Sequence, residues 1–258
     1  MEKRNADEKD IQQFRNRLHD LADKSFAQGV FTFTPFLGLG EQDIFWQEEP
    51  GLKFAGYTLD GGFDSADRVV IRFGSAEELG YDAPFPLTCI HIRPLMRKFA
   101  DELSHRDFLG ALMNLGIERG TVGDIKVGEK QAYLFCLDTV AEFICGNLSQ
   151  VKHTHVECAV AQDFGEMPRE EPLRANIQVQ SLRIDAVLAK VYNMSREKSQ
   201  ELFRAGKVYV DGRLCGNHSR QLKSGETVNA RGFGKFVLAG EPGKTRKGKL
   251  AVDVAVYK

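Results

Sequence analysis

Arg196, Gln200 and Arg204 recur at four-residue intervals between Ser195 and Gly206, and Lys207 lies just beyond. Ser195 has the side chain to cap a helix start, and Gly206 has the freedom to end one in the left-handed region. The spacing predicts one short helix whose basic stripe holds Arg196, Gln200, Arg204 and Lys207. Ser199 and Leu202 turn the other way, with Phe203 at the border. Cations beside a helix N-terminus, whose N–H groups also favour an anion, suit the capture of phosphate. Arg196 stands nearest that end, and its guanidinium can grip phosphate through two hydrogen bonds.

The elements that must position this stripe are short. Ile184, Val187, Leu188 and Val191 are spaced for burial in a helix of roughly 184–191 that leaves Arg183 and Lys190 outside. Two helices of this length are marginal alone and need a sheet behind them. Lys207 to Val210 alternates as a strand into an Asp211-Gly212 turn, and residues 221–231 read as a turn leading into a second strand.

Charge sets this region apart. Residues 181–258 hold 16 Lys and Arg against 7 Asp and Glu, while residues 1–180 hold 19 against 29, so balances of +9 and −10 sum to the formal −1 of the whole chain. A basic face on a short segment is an electrostatic footprint for a phosphate backbone. The competing explanation is a charged face that is merely solvated.

With 258 residues, 42% of them hydrophobic, the chain can bury the cores of two or three domains. Five scattered cysteines, none in a Cys-x-x-Cys pair, argue against a disulfide scaffold or a zinc ribbon. His153, His155 and Cys158 lack a further ligand at sensible spacing, so no metal and no cofactor are expected. The first ten residues lack the apolar segment of a secretion signal, and no run approaches the roughly 20 apolar residues of a membrane span. A cytoplasmic protein with no membrane partner, acting as a monomer, is expected.

Earlier in the chain, residues 8–27 keep helical period through Ile11, Phe14, Leu18 and Leu21. Alternation at 31–34, a short helix at 41–49 carrying Trp46, and strands at 53–59 and 68–73 complete an N-terminal α/β domain of residues 1–84. Residues 74–86 form a polar boundary. Next come a strand at 88–93, a helix at 101–115, strands at 124–127 and 131–137, a helix opened by a Thr139–Glu142 capping box, and a strand at 154–160. That βαββαβ order predicts a ferredoxin-like plait over residues 85–165. Plaits of this kind stack bases on exposed aromatics, and Tyr133 and Phe135 alternate onto one face, but His91 stands on the first strand where an aromatic would help and the domain is not basic, so packing in a core is the preferred role and base stacking the alternative. Residues 166–180 read as a polar linker, and the fold class is α+β.

Leu182-Arg183-x-Asp185, Ser195-Arg196-x-x-Ser199-Gln200-x-Leu202, Ala205-Gly206-x-Val208-x-Val210-Asp211-Gly212 and Leu222-x-x-Gly225-Glu226 together resemble the S4 RNA-binding module. The resemblance implies RNA contacts from Arg183, Arg196, Lys198, Gln200, Arg204 and Lys207, with Asp185 orienting an arginine and Ser195 fixing the helix start. Thr34-Pro-Phe-Leu, Gly61-Gly-Phe-Asp-Ser-Ala-Asp-Arg and the block from Ser104-His-Arg-Asp-Phe-Leu-Gly to Val122-Gly-Asp-Ile extend the likeness nearly end to end. They are similar to the YlmH-type proteins of Gram-positive bacteria and cyanobacteria. That likeness implies three parts: an α/β domain, an RNA-recognition-like plait and S4. It also implies rRNA and tRNA as partners on the large ribosomal subunit, other quality-control factors, a place in ribosome-associated quality control and a link to cell division. His105, Arg106, Tyr133, Phe135, Lys244, Arg246 and Lys247 are candidates for secondary RNA or partner contacts.

Catalytic readings fail on context. Asn193-Met-Ser-Arg-Glu-Lys-Ser199 faintly echoes a synthetase signature loop but lacks its first lysine and an upstream His-Ile-Gly-His partner. No glycine-rich turn follows a strand as a methyltransferase needs, and Gly243-Lys244-Thr245 has Leu238 where a phosphate loop has glycine. His105-Arg106-Asp107 sits in a helix with no glycine-rich strand or Asp-Phe-Gly, unlike a kinase catalytic loop. A non-enzymatic binder is expected. An RNA-modifying enzyme tethered by S4, or a protein-docking module using Trp46 or the acidic half, are the alternatives.

Overall fold

Apolar side chains at helical and alternating spacings sort this mixed α and β chain into two compact units, Met1–Pro168 and Arg169–Lys258. The computed structural model describes residues 2–64, 66–162, 165, 167–168, 171–245 and 248–257.

The first unit opens with α1 (Glu2–Gln28), which buries Leu18, Leu21 and Ala22. Then come β1 (Thr32–Phe33), α2 (Leu39–Glu48), β2 (Tyr57–Asp60), β3 (Val70–Phe73) and α3 (Ala76–Leu79). The antiparallel sheet has order β1-β3-β2, and Phe45, Leu52, Ile71 and Phe73 fill the space beneath α1. The strand expected from Lys53 starts only at Tyr57. Lys53–Ala55 instead form one tight 3-10 turn, closed by Gly56 at φ +63°. The stretch expected to be a plain boundary holds α3, capped by the Ser75 hydroxyl.

The second half of this unit runs β4 (Leu87–Pro94), α4 (His105–Asn114), β5 (Val122–Gly128), β6 (Gln131–Leu137), α5 (Asp138–Asn147), β7 (Gln150–Val151) and β8 (Thr154–Val160). Its antiparallel strands lie in the order β5-β6-β4-β8-β7. Helix α4 starts four residues later than expected, because the Asp107 carboxylate accepts from both the backbone and the hydroxyl of Ser104 at 2.7 Å. The Thr139 capping box does not form. Strand β6 passes straight into α5 at Asp138, which leaves no loop residue to act as a cap.

The two faces of this sheet meet different neighbours. Ile90, Ile92 and Leu134 pack with Phe108 of α4 and Ile144 of α5. On the other face Cys89, Tyr133 and Phe135 pack with Phe36 and Val70, and Phe33 and Phe63 lie against them. The Phe63 and Phe135 rings are 4.8 Å apart. A Cβ on Gly62, whose φ is +90°, would overlap the Phe135 ring, so only glycine lets the loop approach this closely. Arg68 clasps the arrangement, donating to the carbonyls of Phe36, Val122 and Arg119, while Asp124 accepts from the backbone N–H groups of Asp67 and Arg68.

The second unit contains β9 (Leu173–Val179), α6 (Ile184–Val191), α7 (Arg196–Arg204), β10 (Val208–Val210), β11 (Arg213–Leu214), β12 (Thr227–Ala230), β13 (Gly234–Lys244) and β14 (Leu250–Tyr257). The order of its sheet is β11-β10-β12-β13-β14-β9. Val187, Leu188, Leu202 and Phe203 from the helices pack on Val208, Val228, Phe236 and Val252. The expected linker 166–180 therefore contains a strand. β9 pairs with β14 from Leu173↔Val256 to Val179↔Leu250, and only Ile177 and Val179 of its side chains are buried. As an edge strand it is held chiefly by its backbone, and its hydrophobic alternation is correspondingly faint. Asp211 and Gly212 both have positive φ, the two-residue turn that suits a right-twisted hairpin. No helix of the described residues is long and apolar enough to cross a membrane.

Candidate nucleic-acid interface

Helix α7 begins where the Ser195 hydroxyl accepts from the Lys198 N–H at 3.1 Å, and the chain leaves it through Gly206 at φ +63°. Leu202 and Phe203 face the core, which turns Arg196, Lys198 and Arg204 to solvent, and Lys207 is exposed just past the end. Ser199 is fully buried, and its hydroxyl donates to the Asp185 carbonyl at 2.9 Å, fixing α7 to α6.

Asp185, itself without solvent exposure, is the centre of the cluster. Arg183 donates through Nε (3.2 Å) and Nη2 (3.0 Å), Arg196 through Nε (3.1 Å), and Gln200 through Nε2 (3.2 Å). His218 Nδ1 lies 3.4 Å from the same carboxylate. Burial alone pushes this carboxyl up, but the hydrogen bonds from Arg183, Gln200 and Arg196 outweigh it and hold Asp185 well below the usual carboxylate range. The Arg196 side chain remains 53% exposed and that of Arg183 31%. Both guanidiniums are thus anchored on one side and open on another, an arrangement that can receive an anion without first ordering a long side chain.

Arg183, Asp185, Arg196 and Gln200 therefore meet; Arg204 is exposed two turns along α7 from Arg196, Lys207 is exposed just past the helix, and Lys198 is an exposed cation on a different face of it. Sequence reasoning missed His218. It reaches the cluster because the loop 217–222 folds over the start of α6, where Ile184 N–H donates to the Arg220 carbonyl and Asp185 N–H to that of His218. The only signal in the sequence is an Asn217–Ser219 turn, stitched by the Asn217 side chain. Arg220 is held by Glu226 at 2.7 Å.

Among the secondary candidates, Tyr133 and Phe135 take the core-packing role and not that of base stacking. They are 2% and 1% exposed, sealed beneath Phe36, Phe63 and the Gly61–Gly62 loop, and Tyr133 stacks on His91 at 4.3 Å. His105 and Arg106 are exposed at the start of α4. Partial desolvation and the nearby charge of Arg119 lower the His105 pKa. Arg106 borders a groove of about 650 Å³ shared with Asn114, Asn147, Gln150 and Lys152. Lys244 is exposed at the end of β13, and Arg246 and Lys247 lie outside the described residues. All five cysteines are free, with Cys89, Cys136 and Cys158 pushed up to about 12 by burial. Among the described residues, no three His, Cys, Asp or Glu side chains converge as a metal would require.

A family model described as the putative RNA-binding domain in YlmH matches residues 82–163. Ribosome-associated protein quality control protein P2 of Bacillus subtilis (strain 168) is 31% identical over 224 residues, covering 85% of this chain and 84% of that protein. The chain belongs to the YlmH family. A solved structure titled cell division protein ylmH from Streptococcus pneumoniae has 21% identity and a TM-score of 0.46, covering 61% of this chain and 93% of that one. In this YlmH-family member the span matched by the family model includes β4 to β8, the sheet whose aromatic face is closed by the N-terminal segment.

Proposed function

We propose that the chain is a non-enzymatic RNA-binding protein that grips folded rRNA or tRNA on the large ribosomal subunit, within ribosome-associated quality control, through an S4-type module in its second unit. The observation that carries this reading is the buried Asp185 carboxylate holding Arg183 and Arg196 at the surface, on a helix that also exposes Lys198 and Arg204. A +9 balance over residues 181–258 supports it, as does the name of the Bacillus subtilis relative, a ribosome-associated quality control protein. In the first unit the order β5-β6-β4-β8, with α4 and α5 on one face, supports reading the matched span as a ferredoxin-like plait.

The test is co-sedimentation with large ribosomal subunits. Arg196→Ala should reduce pelleting roughly tenfold while lowering the melting midpoint of the second unit only modestly, because Arg183 and Gln200 still hold Asp185, and Arg196→Lys should restore pelleting only in part, because an ammonium lacks the planar fork. Undiminished pelleting of Arg196→Ala removes this surface from the contact.

A further inference from the structure

The first unit is acidic, with 17 Lys and Arg against 27 Asp and Glu over residues 1–168. One surface segment departs from that balance. Pro94–Ala100, just beyond β4, contains Arg97 and Lys98, no acid, and three of the most exposed large apolar side chains among the described residues: Leu95 at 62%, Met96 at 66% and Phe99 at 73%. A core role does not explain side chains that stand this far into solvent, and apolar groups gathered in one exposed loop mark a place of contact.

The loop is built, not frayed. Leu95 N–H donates to the His155 carbonyl at 3.0 Å, Arg97–Phe99 form a single 3-10 turn, and Asp101 N–H donates to the Thr154 hydroxyl at 2.9 Å. From the neighbouring β5–β6 turn, Lys130 reaches across to the Arg97 carbonyl at 3.2 Å. Lys98 Nζ lies 5.8 Å from the centre of the Phe99 ring. The acidic neighbours are Asp101, which accepts from the Thr154 hydroxyl, the exposed Glu102 next to it, and Glu129, 3.7 Å from Arg97 in a pair whose side chains are 70% and 83% exposed, a contact that solvent screens strongly.

We propose that the Leu95–Phe99 loop is a second RNA contact, in which an unpaired base stacks on Phe99 while Arg97, Lys98 and Lys130 meet the flanking phosphates. An exposed ring bordered by cations is the combination that holds single-stranded nucleic acid. The loop lies within the span matched as a putative RNA-binding domain, and the aromatic face of the sheet in that span is already covered. A lipid surface would also attract cations and apolar groups, but nothing comparable to an RNA-binding match favours it. The contact is independent of the one on α7.

The experiment is fluorescence anisotropy of the full chain with a labelled 12-nucleotide unstructured RNA. Phe99→Ala should raise Kd roughly tenfold, as removal of one stacked base does, and Phe99→Trp should leave it unchanged. Arg97→Glu with Lys98→Glu should weaken binding further. The same Phe99→Ala effect is expected in an Arg196→Ala background, which separates this contact from the α7 surface. The proposal is overturned if Phe99→Ala and the double charge reversal leave Kd within twofold, or if Arg196→Ala alone abolishes binding of the probe. It is equally overturned if Phe99→Ala leaves RNA binding intact while removing adsorption to phosphatidylserine vesicles.

Discussion

Arg196 Nε donates to Asp185 Oδ2 at 3.1 Å across eleven residues of sequence, joining the first turn of α7 to the first turn of α6. The carboxylate is fully buried while half of the Arg196 side chain remains in solvent. One side chain is therefore a fixed counter-charge, and the other is a donor held in one orientation with its outer edge open. Loss of Asp185 should affect the position of Arg196 as well as the charge balance of the site.

Asp185→Ala should lower the stability of the second unit by about 2 kcal/mol. That is below the range for removing one partner of a wholly buried ion pair, because both guanidiniums can turn to water. Ribosome binding should fall at least as far as in Arg196→Ala, since Arg183 and Arg196 lose their anchor together. Thermal unfolding and subunit pelleting of the variant measure the two effects. Retained affinity would show that the guanidiniums need no fixed orientation.

The pH dependence follows from the lowered Asp185 pKa. The folded state releases this proton more readily than the unfolded chain, so the stabilisation is fully present above the ordinary carboxylate range, near pH 4, and is lost as the pH falls below it. The stability gap between the parent chain and Asp185→Asn should narrow between about pH 5 and pH 2. Asp107, held at about 2 chiefly by its hydrogen bonds with Ser104, has the same sign in both proteins and cancels in the difference.

Salt should separate Arg196 from its neighbours. Each phosphate neutralised contributes a log–log slope of about −0.7 on single strands and about −0.9 on duplex. Arg196→Ala should make the slope shallower by about that amount, whereas Glu197→Gln, on the same turn but not a cation, should not. Titration of ribosome binding between low and high potassium chloride gives both slopes. A parent chain with no salt dependence would instead indicate docking to protein.

Gly62→Ala should destabilise the first unit by about 3 kcal/mol, since the added methyl meets the buried Phe135 ring and the position has φ +90°. For a unit of this size that corresponds to a melting midpoint lower by roughly 6–12 °C. Differential scanning calorimetry reads it directly, and an unchanged first-unit transition would show that the loop can lift from the sheet at little cost.

The sequence carries local features well. Helix α6 spans the residues its apolar spacing indicates, Ser195 and Gly206 bound α7, and the Asp211-Gly212 pair forms its turn. Tyr133 and Phe135 do share one face, as alternation requires. What alternation cannot supply is the cover: Phe36 and Phe63 arrive from far upstream, and only tertiary packing brings them to that face. His218 was illegible for the same reason, since no periodicity links a loop residue to a helix start. Strand β9 was missed because an edge strand needs backbone partners more than a hydrophobic pattern.

The β9–β14 ladder brings Leu173 beside Val256, so the sheet of the second unit closes only when segments from opposite ends of the unit meet. A fragment begun at Ser181 would move the open edge of the sheet from β9, whose residues are mostly exposed, to β14, which carries the buried Val252, Val254 and Val256, and so would invite association between copies. A ribosome making this chain must release β14 before β9 can find its neighbour, so this sheet cannot be completed while only its earlier strands have emerged.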